Sequence, residues 1–133
     1  ILPGLFLSDM YSATSPRVLQ RLRPTHVLSV VPPPWPAYAP HVAVRRLALD
    51  DTPDTDLAPH LAGAVAWIAD ARAAGGTVLV HCIWGKSRSA SVVLAYLVAA
   101  VGMPLAGALA YVRARREIVR PNAGFMRQLR AYE

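Results

Sequence analysis

The chain has 133 residues, 54% of them hydrophobic and 17% charged, which is enough apolar sequence to bury one core without staples and excludes an intrinsically disordered chain. Its 12 prolines and 8 glycines are too few for a collagen-like or low-complexity chain. The single cysteine, Cys82, excludes an intrachain disulfide framework and a cysteine-based zinc cluster, and the net charge of +6 points to anionic partners.

The chain starts without Met, at Ile1-Leu2-Pro3-Gly4, so an excised domain is expected. It lacks the basic leader and unbroken apolar run of a signal peptide. Leu5 to Leu7 reads as a short strand. Ser15-Pro16 opens a helix with Val18, Leu19 and Leu22 on one face, stopped by Pro24. Thr25 to Val31 is apolar and β-branched enough for a buried strand. Pro32-Pro33-Pro34-Trp35-Pro36 must be a loop, because proline cannot donate to a ladder. We read it as a stiff connection rather than a polyproline ligand.

Val42 to Leu49 reads as a third strand leading to an acidic loop with Asp50, Asp51, Asp54 and Asp56. Leu57 to Ala74 is helical, with Leu61, Val65 and Ile68 on one face, Trp67 near it, and Gly75-Gly76 at its end. Thr77 to Val80 is a buried strand, Ser87 to Val101 a helix, and Leu105 to about Val119 another. Pro121-Asn122 caps a last helix through Tyr132. Nothing between Arg88 and Arg113 is charged, a length that could cross a bilayer. Gly102 and Pro104, however, are spaced as a helix-ending glycine and a helix-opening proline, so two packed helices are expected there and no transmembrane span. The alternation predicts one α/β domain over residues 1–133, with a largely parallel sheet of about four to five strands flanked by helices.

The chemistry lies in His81-Cys82-Ile83-Trp84-Gly85-Lys86-Ser87-Arg88-Ser89, a buried strand feeding a polar loop that opens a helix. Backbone N–H groups and the helix dipole stabilise a phosphate or a thiolate at such a junction. Cys82 is therefore read as a nucleophile rather than one more buried small residue. Arg88 can curl back over the loop and hold two phosphate oxygens with its planar fork. Gly85-Lys86-Ser87 is similar to the end of a nucleotide-binding P-loop, but that motif needs another glycine where Val80 stands.

His81-Cys82-x-x-Gly85-x-Ser87-Arg88-Ser89 resembles the signature of the cysteine-dependent dual-specificity protein phosphatases. Pro3-Gly4-Leu5-Phe6-Leu7, His26-Val27-Leu28-Ser29-Val30, Ala95-Tyr96-Leu97 and Pro121-Asn122-x-Gly124-Phe125 with Gln128-Leu129 are similar to that family's landmarks, so the resemblance spans nearly the whole chain. It implies hydrolysis of phosphotyrosine and phosphoserine or phosphothreonine in proteins through a phosphocysteine on Cys82. It also implies phosphate held by the loop from Cys82 through Ile83, Trp84, Gly85, Lys86 and Ser87 to Arg88. Asp51 matches the family's general acid, with Asp50 the next candidate. Ser89 matches the serine that assists departure of the sulfur, and His81 the histidine that orients the loop. No metal or other cofactor is implied. Asp54 and Asp56 are read as turn and helix-capping residues, and His26, His41 and His60 as structural or surface residues.

The chain looks most like the small atypical members, which lack a kinase-docking domain. Its loop is also similar to that of fungal members that carry a C-terminal zinc domain and act in ribosome assembly. A phosphorylated protein is thus the expected partner, in a cytoplasmic or nuclear, reducing setting. Lys86, the only lysine, is expected at the rim of the phosphate pocket and keeps a phosphoinositide or other phospholipid substrate as the alternative. A phosphate-binding adaptor without activity is the other alternative. Trp84 is expected to pack under a neighbouring loop rather than to wall the substrate. The arginines from Arg113 to Arg130 are read as a solvated face, with too few interleaved aromatics for nucleic acid. Oligomeric state has no signal in the sequence.

Overall fold

A computed structural model describes all 133 residues. In chain order the elements are β1 (Leu5–Ser8), α1 (Met10–Ala13), α2 (Pro16–Leu22), β2 (His26–Ser29), β3 (Ala43–Arg46), α3 (Ala58–Ala73), β4 (Val78–His81), α4 (Arg88–Tyr96), a π-helical turn (Leu97–Val101), α5 (Leu105–Arg115) and α6 (Ala123–Tyr132). The four strands form one sheet in the order β1-β4-β2-β3, with every neighbouring pair parallel. The expected α/β architecture is therefore the observed one.

Strand alternation divides the interior. Leu28, Val78 and Val80 face a large core of 28 buried residues completed by α3 to α6, whereas Val27 and Leu79 face a patch of three with Ala13, covered by α1 and α2. The larger face carries most of the hydrophobic stabilisation, at about 1.5–3 kcal/mol for each fully buried aliphatic or Phe side chain. The strand β4 lies at the centre of the sheet and is buried along its whole length. Its carboxyl end therefore starts the chemistry-bearing loop from a buried position.

The uncharged stretch is two packed helices. All of α4 beyond Arg88 is buried, Gly102 ends the π-helical turn at φ +84°, and Pro104 precedes α5. No helix is long and apolar enough to cross a membrane. Several boundaries differ from the sequence reading. Strand β3 ends at Arg46 rather than Leu49 because β2, its sole partner, ends opposite it at Ser29. Helix α5 stops at Arg115, not near Val119, because Arg116 turns to an extended conformation. The short α1, which the sequence reading lacks, forms where Asp9 accepts from the Ser12 N–H. Asp54 and Asp56 do not cap α3. Gln128, on α6, instead accepts from the N–H groups of Leu57 and Ala58 at 2.7 and 2.8 Å. Trp67 is half-buried and meets the His26 ring edge-on at 5.2 Å.

Candidate active site

The loop from Cys82 to Ser87 links the end of β4 to the start of α4. Gly85 adopts φ +66°, and a Cβ there would lie 2.7 Å from the Ser8 carbonyl oxygen, so only glycine fits this turn. The turn brings the Gly85 N–H to 3.3 Å from Cys82 Sγ, while the Ser89 hydroxyl lies 3.0 Å from the same sulfur. Cys82 is 2% exposed. Two donors at the positive end of α4 thus face a buried sulfur, an arrangement that stabilises negative charge there.

His81 is fully buried beneath the loop. Its Nδ1 lies 3.0 Å from the Cys82 carbonyl oxygen and its Nε2 lies 2.7 Å from Ser29 Oγ. A carbonyl can only accept, so Nδ1 carries the proton and Nε2 accepts from the Ser29 hydroxyl. Burial holds the His81 pKa below its ordinary value against smaller opposing effects of the Cys82 carbonyl and Asp9. The neutral ring fits both bonds.

Three further contacts fix the loop's outer side. Arg116 donates through Nη2 to the Trp84 carbonyl at 2.8 Å and through Nε to the Gly85 carbonyl at 3.0 Å. Its guanidinium also lies 3.7 Å from Asp9. The Met10 N–H donates to the Ile83 carbonyl at 2.8 Å. These consecutive carbonyls are held outward, and the N–H groups of Trp84, Lys86 and Ser87 donate to no acceptor in the protein. Neither Arg116 nor Met10 was singled out from sequence, since a basic helix end reads simply as a solvated face.

Arg88, at the first turn of α4, donates through Nη1 to the Leu49 carbonyl at 3.1 Å, and its buried Nε has no partner. A buried guanidinium N–H left unpaired is costly, and an anion in the loop would relieve it. The Leu49 contact also ties the start of the acidic loop to the phosphate loop. Asn122 makes the next connection: its Oδ1 accepts from the Phe125 N–H as the α6 cap, its Nδ2 donates to Asp51 Oδ1 at 2.9 Å, and its own N–H donates to Ser87 Oγ. Gln128 Nε2 holds the Thr55 carbonyl, and Gly124 packs on the Pro53 backbone so closely that a Cβ would overlap it.

Asp51 therefore lines one cleft with Trp84, Lys86, Ser87, Arg120 and Asn122, a cleft that Asp50 does not line. Of the two candidate carboxylates, geometry brings Asp51 to the loop. Lys86 is exposed and lines the same cleft, and Ile83 is 41% exposed. The expectation for Trp84 is overturned. It is 72% exposed because the Arg116 clamp turns its carbonyl toward the body of the protein and leaves the indole at the mouth of the cleft. A separate, more apolar hollow of about 400 Å³ lies elsewhere, between α2 and the loop holding Ala37 to Val42. It contains none of these residues.

Residues 5–133 match the family model described as "Dual specificity phosphatase, catalytic domain". The chain is 40% identical over 130 residues to dual specificity protein phosphatase 1 of Arabidopsis thaliana, an alignment that covers 98% of this chain and 66% of that protein. The crystal structure of DUSP15 superposes with a TM-score of 0.95 at 32% identity, covering 99% of this chain and 84% of the other. That of human DUSP28 gives 0.93 at 38% identity, covering 99% and 92%. The chain spans 34–66% of the length of the first curated relatives it matches. On a family model that leaves out only the first four residues, and on small relatives that share nearly every element, the chain belongs to the dual-specificity protein phosphatases and sides with their small atypical members.

Proposed function

We propose that this domain hydrolyses phosphotyrosine and phosphoserine or phosphothreonine esters in proteins through a phosphocysteine intermediate. The observation that carries the reading is the buried Cys82 sulfur at the floor of the loop, facing the Ser89 hydroxyl and the Gly85 N–H with the unpaired Arg88 Nε close by in sequence on α4. In the first step the Cys82 thiolate attacks phosphorus. The S–P bond forms as the P–O ester bond breaks, and Asp51 gives its proton to the leaving oxygen. In the second step Asp51 takes a proton from water, whose oxygen attacks phosphorus. The S–P bond then breaks, inorganic phosphate leaves, and Ser89 donates to the departing thiolate. Arg88 and the free amides of Trp84, Lys86 and Ser87 carry the charge on the equatorial oxygens, so the chemistry calls on no metal. His81 holds the Cys82 carbonyl and so orients the loop. A reducing intracellular setting suits a nucleophile that must stay a thiol.

The test is phosphate release from matched phosphotyrosine and phosphothreonine peptides and from soluble phosphoinositides, with the intact protein beside Cys82→Ser. Turnover of both peptides, lost in Cys82→Ser, is the expected result. Turnover of the lipid head groups alone would replace the reading by a lipid phosphatase. Tight binding of a phosphate analogue with no turnover of any substrate would replace it by an adaptor.

A further inference from the structure

Two open hollows meet at the mouth of the cleft. One, of about 380 Å³, includes Asp51, Trp84, Lys86, Ser87 and Arg120. The other, of about 480 Å³, is lined by Trp84, Lys86, Ile118 and Arg120. Trp84, Lys86 and Arg120 belong to both and so form their common wall. The Arg120 N–H donates to the Lys86 carbonyl at 2.8 Å, which fixes the two basic residues side by side. The single ion pair of the molecule is Arg116 with Asp9, so neither Lys86 nor Arg120 has a carboxylate partner. Beside them Trp84 and Ile118 are 72% and 48% exposed. Large apolar side chains left in water beside unneutralised cations are what a ligand with mixed character would cover.

We infer that the outer hollow is a second subsite that takes an anionic side chain on Lys86 and Arg120 and an apolar one on Trp84 and Ile118, selecting phosphopeptides acidic next to the phosphorylated residue. The inference rests on the proposed phosphatase reading, which places the phosphoester on the Cys82 loop, whose Trp84, Lys86 and Ser87 line the inner hollow together with Asp51. An extended peptide rises about 3.3 Å per residue, so adjoining hollows demand that the second anion lie within about two residues of the ester. The apolar wall favours a peptide over an inositol phosphate, which has no apolar group to offer Trp84 and Ile118. The guanidinium of Arg120 can grip a carboxylate or a second phosphate with two parallel bonds.

The experiment compares kcat/KM for two phosphotyrosine peptides that differ only in flanking glutamates or glutamines, at low and high salt, with a small aryl phosphate as reference. Exposed ion pairs are individually weak, so two of them should favour the acidic peptide by roughly three- to ten-fold at low salt. The preference should shrink as salt is added and fall to less than about half its value in Arg120→Gln. Affinity of Cys82→Ser for the same peptides, measured by fluorescence anisotropy, reads the subsite without turnover. Equal kcat/KM and equal affinity for the two peptides, or a preference untouched by Arg120→Gln, would overturn the subsite. Preference for soluble inositol phosphates over both peptides would overturn the choice of a peptide. Failure to hydrolyse even the aryl phosphate would instead strike the phosphatase reading, while the anisotropy would still decide on the subsite.

Discussion

The decisive residues act in pairs whose geometry the sequence does not display. Asp51 and Asp50 are adjacent and chemically identical, yet only Asp51 receives the Asn122 amide and lines the cleft. Asp51→Asn should lower kcat on phosphopeptides by about 10²–10⁴, with a smaller loss on an aryl phosphate whose leaving group needs no proton, whereas Asp50→Asn should show neither loss. Steady-state kinetics on both substrates checks this, and the reverse pattern would move the acid to Asp50. His81 makes a second prediction. Burial depresses its folded pKa below the unfolded value of 6.5, so below pH 6.5 the unfolded chain binds the proton more readily. The stability contribution is therefore fully present above pH 6.5 and is lost as pH falls through the folded pKa. Melting temperature followed downward from neutral pH should decline, and His81→Gln should flatten that slope; parallel slopes would contradict it. Cys82 and Arg88 are legible as residue types at fixed spacing, whereas Ser89 and Asp51 are legible only through the family resemblance, and spacing leaves Asp50 open beside Asp51. The outward turn of Trp84 is not legible, because it depends on Arg116, whose arrival at the Trp84 carbonyl is set by the end of α5.

At the scale of elements, α6 is the support that holds the acidic loop. It does so through Asn122, Gly124 and Gln128, which reach Asp51, Pro53 and Thr55. Helix existence was readable from caps and periodicity, but these contacts join residues some seventy positions apart, and local pattern carries no signal for them. That is why Asp54 and Asp56 look like caps for α3 while Gln128 does the capping. Gly124→Ala would force Pro53, and Asp51 with it, away from the cleft. Phosphopeptide kcat should fall while vanadate affinity, set by the Cys82 loop, stays within about three-fold. An equal fall in both would show that α6 supports the phosphate loop instead. Arg116 acts on that loop from just past the end of α5. Arg116→Ala should weaken vanadate binding and cost about 1 kcal/mol of stability, discounted for the partial exposure of the guanidinium. Unchanged vanadate affinity in a folded variant would contradict the clamp.

Across the whole molecule, the parallel sheet places β4 between β1 and β2 and buries it on both faces. The same burial that stabilises the fold thereby delivers Cys82 to a dry floor, with β1, α4, α5 and α6 converging on one loop. The central strands β2 and β4 were legible because buried parallel strands read as short unbroken apolar runs. Strand order and the split into a large and a small core were not, since alternation within such runs leaves no contrast between faces. The account predicts a covalent intermediate, and the most direct measurement is mass spectrometry of protein quenched in acid within milliseconds of mixing with a phosphotyrosine peptide. A single phosphoryl group on the peptide that contains Cys82, absent in Cys82→Ser and, when the substrate is an aryl phosphate whose leaving group needs no proton, accumulating in an Asp51→Asn variant that cannot activate water, is the predicted result. Steady turnover with no such adduct, or turnover that survives Cys82→Ser, would contradict it.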